Sequence, residues 1–263
     1  MKSSFLVLIV VSIIVIGFSI NYNFNSNDNS RNYIIDDYTK NALKDLEPNS
    51  IVITYDWGYL YPAALYYQQV EHFRQDIKIF NIKFLSVPWY IETIKRYYPD
   101  VYKNVENEAE FYKLNYTSEK NLRSQALMNF VKAFIEKNIS RHSLFASYDF
   151  AYSNELKPLF TGFAFQGDGL LYKIRTKNSV YDSSSGITSL LQNFREYLPL
   201  SKEAEKMKTV TAGIFYDNAL YHSNNGNRPA AIRFINKSLE IKPDFAYAVN
   251  LKNQLDSQKD TVK

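Results

Sequence analysis

The chain has 263 residues, 46% of them hydrophobic, with a formal charge of +4 at pH 7, 22 Tyr, 18 Phe and no Cys. That length allows one large domain or one domain with an appendage. The absence of cysteine excludes disulfides, thiol catalysis and thiolate metal sites, and the mild charge without a basic stripe argues against nucleic acid as a partner.

Lys2 precedes an apolar run from Phe5 to Ile20, broken only by Ser12, Gly17 and Ser19, and the polar stretch NYNFNSNDNSRN follows at 21–32. The run has the length of a short membrane span or a long signal-peptide core. We read residues 1–20 as an uncleaved transmembrane anchor in preference to a cleaved signal, and 21–32 as its linker. The cation on the amino side, with Asp28, Asp36 and Asp37 on the other flank, predicts that the rest of the chain is exported to the periplasm or cell surface.

Residues 33–46 are expected to form a short helix, with Ile34, Tyr38, Ala42 and Leu46 spaced by four. After Pro48 comes a β-branched strand at 51–55. Pro62 suits the first turn of a helix, and Ala63, Tyr66, Val70 and Phe73 continue it on one apolar face. IKIFNI at 77–82 is strand-like. Pro88 opens a helix carrying Ile91, Ile94 and Tyr98, and Pro99 closes it. A longer helix is expected over about 119–138, SLFASYD at 143–149 reads as a third strand, and 163–175 as a hairpin turning at Gly167-Asp168-Gly169 or an edge strand. Strands alternating with helices predict an α/β fold over 33–175, with a parallel-type sheet covered by helices. TKNSVYDSSSG at 176–186 is a linker, and 187–263 is all-helical. There Gly226, Ala231, Ile235, Ser238 and Pro243 have the pattern of a tetratricopeptide unit, over about one and a half repeats. A solenoid needs roughly three, so this tail is expected to cap the α/β domain or to offer a docking face.

One motif occurs twice. Thr54-Tyr55-Asp56-Trp57-Gly58-Tyr59 and Ser147-Tyr148-Asp149-Phe150-Ala151-Tyr152 each carry a hydroxyl residue, Tyr-Asp, an aromatic, a small residue and Tyr, and each falls where a strand is expected to end. Ligands of open parallel sheets bind at that edge. Asp56 and Asp149 are therefore candidates to face one crevice walled by Trp57, Phe150, Tyr59 and Tyr152, a combination suited to a sugar: carboxylates for hydroxyls, rings for C–H faces. The competing reading is that each Asp closes a turn or caps a helix and the aromatics are core. Two acids also permit glycoside chemistry, which needs a defined separation and one raised pKa. His72, His142 and His222 lack ligand spacing, and neither a metal nor a cofactor is expected. Sequons stand at Asn115, Asn138 and Asn236.

The run Leu46-Glu47-Pro48-Asn49-Ser50-Ile51-Val52-Ile53-Thr54 leads into Asp56, and Pro62, Tyr66-Tyr67-Gln68, Glu71, Arg74-Gln75-Asp76-Ile77, Leu85 and Trp89-Tyr90 follow in order, with Arg141-His142-Ser143-Leu144-Phe145 beyond. Over about 35–175 this resembles the soluble carboxy-terminal part of multi-spanning membrane proteins related to protein O-mannosyltransferases, long known only as a domain of unknown function. The chain has at most one membrane segment and nothing matching the family's catalytic loop, so no catalytic residue carries over. The resemblance implies an extracytoplasmic accessory or binding module in protein glycosylation, partnering a multi-spanning membrane protein, a glycan or a glycoprotein. The alternatives are a glycan-acting enzyme using Asp56 and Asp149, and an adaptor working through the helical tail.

Overall fold

The structure is a computed structural model that describes residues 2–27, 33–55, 57–177 and 202–257. Helix α1 (Lys2–Asn27) contains a stretch, Phe5–Phe24, long and apolar enough to cross a membrane, none of it buried against the rest of the protein. The helix runs through residues 21–27, most of the segment expected to be a linker.

The body that follows is a mixed α/β fold. It contains α2 (Ile34–Lys44), β1 (Ile51–Thr54), α3 (Leu60–Gln69), β2 (Lys78–Asn81), α4 (Pro88–Tyr97), α5 (Pro99–Leu114), α6 (Lys120–Asn138), β3 (Leu144–Ala146), α7 (Tyr148–Ala151), β4 (Phe163–Asp168) and β5 (Leu171–Thr176). The strands form one sheet in the order β2-β1-β3-β5-β4. β1 lies parallel to both neighbours, with Ile53 opposite Phe80 and Ala146. The expectation of a parallel-type sheet holds for these three strands only. β5 runs antiparallel to β3 and to β4; its pairing with β4 follows from the two-residue turn Gly169-Leu170, too short for a crossover. Gly169 has φ +64° and supplies the left-handed residue that such a hairpin turn requires.

Two further expectations are corrected. Pro99 does not merely end α4; it opens α5, whose Val101, Tyr102, Val105, Ala109 and Tyr112 are buried at helical spacing. Proline fits the first turn of a new helix as well as it fits the end of an old one. The third strand is three residues long, not seven, because Ser147 caps α7: its Oγ accepts from the Phe150 N–H at 3.4 Å.

Alternating strand residues feed two cores. Ile51, Ile53, Phe80, Leu144 and Ala146 face one side, where Ile91, Val105, Phe130 and Phe134 of α4–α6 cover them. Val52, Ile79 and Phe145 face the other, against Tyr38 and Leu43 of α2 and Leu60 and Ala64 of α3. Past the undescribed segment 178–201, α8 (Lys202–Asn224), α9 (Arg228–Ile241) and α10 (Ala246–Ser257) are helical. α8 enters both cores, with Val210 and Ile214 in the first and Met207, Phe215 and Ala219 in the second. The helices dock on the body in the manner of a cap. Between α8 and α9 the chain reverses at Gly226, φ +73°, and Asn227 caps α9 by accepting from the Ala230 N–H. Ala231, Ile235 and Ser238, the residues of the repeat-like pattern, are fully buried, and Ser238 Oγ donates to the Ala212 carbonyl at 2.8 Å. That pattern is used within the chain, in packing α9 on α8.

Candidate functional site

The connection from β1 leads toward β2, while the chain after β3 leads toward β5 and β4. Adjacent parallel strands whose connections diverge leave a crevice at their carboxyl ends, and the crevice here lies between the loop after β1 and the start of α7. The two copies of the repeated motif thus emerge side by side, but they differ in local structure. After β1 the chain bends through Trp57-Gly58-Tyr59 before α3 begins; after β3 it turns at once into α7, with the Ser147 N–H bonded to the Ile53 carbonyl at 2.9 Å.

The loops are tied together directly, since the buried Tyr59 hydroxyl donates to Asp149 Oδ2. Tyr38 of α2 meets the Tyr59 ring edge-on at 5.8 Å and donates its hydroxyl to the Leu170 carbonyl at 2.9 Å. Burial pushes the Tyr38 phenol far up, and the negative charge of Asp149 adds to it. Lys206 of α8 places its ammonium 5.5 Å from the centre of the Tyr59 ring, so four elements converge on this point.

Beside it lies an aromatic patch. Trp57 is 55% exposed and Trp89 61% exposed. They flank Phe84, with ring centres 5.0 Å and 6.0 Å from it. These are the chain's only two tryptophans. The patch rests on Tyr61 and Tyr90, whose hydroxyls meet at 3.1 Å, and the Tyr90 oxygen accepts from the Asn81 N–H at the end of β2. Nearby, Lys83 stands 4.3 Å over the Tyr55 ring, and the Tyr55 hydroxyl donates to Glu155.

Of the six candidate residues, Asp56 lies outside the described residues. Trp57, Tyr59 and Asp149 are on the rim. Phe150 is not a wall of it: this ring is 0% exposed and packs in the core against Phe160 at 5.2 Å and Phe165 at 6.1 Å. Tyr152 turns the other way. It stacks on Tyr148 at 4.7 Å and donates to Asp217 of α8, whose Oδ2 also accepts from Tyr172 at 2.6 Å. Burial raises the Asp217 carboxyl above the usual range, and the two phenol hydrogen bonds offset only part of that. Sequence reading missed Asp217, Tyr172 and Phe84. Asp217 sits on a helix far along the chain, and no spacing rule links it to Tyr152. Trp89 was noticed only as part of the resemblance.

The polar residues that carried the resemblance sit at the opposite end of the sheet. Arg74 donates to the carbonyls of Leu43, Lys44 and Leu46 at 2.6–2.8 Å, capping α2, and pairs with Asp76 at 2.9 Å. Gln68 Nε2 donates to the Arg74 and Ile77 carbonyls. Their work is to hold the amino ends of β1 and β2. Among the sequons, Asn138 is fully buried, its amide donating to the Phe134 carbonyl and accepting from Asn104, so the folded chain offers no acceptor there. Among the described residues no three of His, Asp and Glu are grouped to hold a metal ion.

Residues 35–158 match the family described as TMEM260-associated domain 2. The match takes in α2, the three parallel strands and α7, and stops before β4. No curated protein and no solved structure matches the chain.

Proposed function

We propose that the chain is a membrane-anchored binding module, its body on the extracytoplasmic side, that serves protein glycosylation by holding a glycan or a glycosylated acceptor at the rim of β1 and β3 for a separate multi-spanning membrane protein. The observation that carries this reading is the pairing, at one sheet edge, of an exposed Trp57–Phe84–Trp89 platform with the carboxylate of Asp149. Indole faces cover the apolar C–H faces of a pyranose, and a carboxylate accepts its hydroxyls; a few placed polar groups beside aromatic walls are what small-ligand sites consist of. The anchor reading is supported by the apolar Phe5–Phe24 stretch, and the outward orientation by Lys2 on its amino side. The likeness of residues 35–158 to a domain associated with TMEM260 supports a place beside a membrane protein.

Both tryptophans lie on the platform, so tryptophan emission of the full chain in detergent micelles reads this site alone. Titration with neutral oligosaccharides is expected to change the emission saturably. Trp57→Ala is expected to weaken binding by about tenfold or more, and Asp149→Asn by several-fold. Binding that survives both substitutions unchanged, or emission indifferent to every sugar, removes the reading.

A further inference from the structure

The cluster around Asp217 borders a cavity of about 640 Å³ between the second half of α8 and the β4–β5 hairpin, a volume within the range of small-molecule sites. Its shape follows from one close approach. A Cβ on Gly167 of β4 would stand 2.3 Å from Asn218 Nδ2 and 2.9 Å from its Cγ, so helix and hairpin touch there only because residue 167 is glycine. The Asn218 amide cannot easily yield, because it donates to the Ile214 carbonyl at 2.8 Å. Beyond that pinch, Leu220, Tyr221 and Asn224 on the helix and Arg175 and Thr176 on the hairpin line the cavity.

The lining sets the ligand's chemistry. Among the described lining residues the only carboxylate is Asp217 and the only guanidinium is Arg175, so their charges cancel and favour a neutral guest. Phe165, Tyr172 and the half-exposed Tyr152 supply ring surface next to these polar groups. Gln166 contributes a further observation: its Oε1 is buried and has no hydrogen-bond partner in the protein. Buried polar atoms without a partner are uncommon in folded proteins, and this one belongs to a residue on the cavity wall. An acceptor left open on a lining residue is available to a donor that a guest supplies.

We infer that this cavity is a binding site for a small neutral polyhydroxyl molecule, of monosaccharide to disaccharide size, with hydroxyls on Asp217 and Gln166 and a C–H face on Tyr152. It is separate from the rim: α7 stands between them, with Asp149 turned to Tyr59 and Tyr152 turned to Asp217. The inference does not depend on the proposed rim function.

The test is saturation-transfer NMR on the full chain in detergent micelles, with glucose, maltose and myo-inositol as probes, zwitterionic glycine and anionic inorganic phosphate serving as ionic controls. It is run in the Trp57→Ala background, where the rim platform is disabled and the cavity, which contains no tryptophan, is intact. The neutral probes are expected to bind, and the controls are not. Gln166→Leu, which keeps the side-chain volume and removes the acceptor, is expected to weaken binding about tenfold, and Asp217→Asn several-fold. Near-ultraviolet circular dichroism checks that each variant is folded; if Asp217→Asn is not, Gln166→Leu decides. The inference is overturned if no neutral probe binds in the Trp57→Ala background, if Gln166→Leu leaves their affinity unchanged, or if glycine or phosphate binds in their place.

Discussion

In β1, β2 and β3 every residue except Lys78 is buried, whereas β4 and β5 mix buried, half-buried and exposed positions along their length. The parallel strands carry helices on both faces, so each side chain is committed to one core or the other. The hairpin is covered less completely, and polar side chains such as Gln166 and Arg175 survive along it. The consequence is a difference in where each half can bind anything. The parallel half has only the ends of its strands to offer, and its candidate site is a rim built by loops. The antiparallel half offers the side of its strands, and its candidate site is a groove closed by a helix.

The comparison breaks most decisively if the two halves do not differ in what their side chains contribute to stability. Phe145, 1% exposed in β3, packs with the α2–α3 layer. Phe145→Ala is expected to cost about 3–5 kcal/mol, the usual effect of emptying a buried aromatic site, and would consume a large part of a typical domain's stability. Phe165→Ala, at a partly buried hairpin position beside Phe150 and Phe160, is expected to cost less, about 2–3 kcal/mol, since part of its surface is already in contact with water. Urea unfolding of the two variants measures the difference; equal costs would mean that the hairpin is as fully packed as the parallel strands.

A second variant asks whether the hairpin half depends on α8. Gly167→Ala drives a methyl group against Asn218, and overpacking of this kind costs about 1–3 kcal/mol. Hydrogen exchange is expected to accelerate in α8 and β4 while β1 and β2 keep their protection. Uniform acceleration throughout the sheet would show that the two halves open as one unit.

How far these halves were legible in the sequence follows the same line. β1 and β2 were visible as apolar β-branched or aromatic runs, because strands buried on both faces need no alternation. Their neighbouring helices were visible through Pro62 and Pro88 and through the spacing of Ile91 and Ile94. The extent of β3 was misjudged, because SLFASYD is a plausible strand to its end and only the cap formed by Ser147 cuts it short. α5 is hidden from sequence reading because Pro99 suits the end of one helix and the first turn of the next equally well. The rim was half legible. The repeated Tyr-Asp motif located both loops, and parallel neighbours were bound to bring them together. It did not reveal that Phe150 points into the core or that Tyr152 points away, since a short helix rotates successive side chains by about 100° and its presence was not foreseen. Asp217 was beyond reach: its meeting with Tyr152 and Tyr172 depends on how α8 docks, which no local pattern encodes.

A smaller effect tests the joint between the rim loops. Tyr59→Phe removes only the hydroxyl that reaches Asp149. A hydrogen bond to a partly solvated carboxylate is worth about 1 kcal/mol, and thermal unfolding is expected to shift accordingly, with the aromatic patch at Trp57 and Trp89 keeping its emission spectrum. A loss several times larger would mean that Asp149 organises α7 as a whole and that the rim is a structural joint before it is a site.

The finest test sets two carboxyl groups against each other through pH. Burial drives the Asp217 pKa above its ordinary 3.8. As pH rises from that value through the native pKa, the unfolded chain releases a proton that the folded chain retains, so stability falls across this window. Glu47 has the opposite sign. Burial works to raise its pKa, but the hydrogen bond and charge of Lys173 on β5 outweigh burial and hold it below 4.5. Its contribution is complete above 4.5 and disappears as pH falls through the lower native value. Subtracting the stability of Asp217→Asn from that of the wild type should therefore leave a curve that descends with pH in the acid range, and subtracting that of Glu47→Gln a curve that ascends. The ion pair lost in the second variant is itself the source of that slope, because it exists only while Glu47 is ionised. A flat Asp217 curve would mean that its carboxylate is as well solvated as a surface acid, and the groove beside the hairpin would then be no drier than the rim.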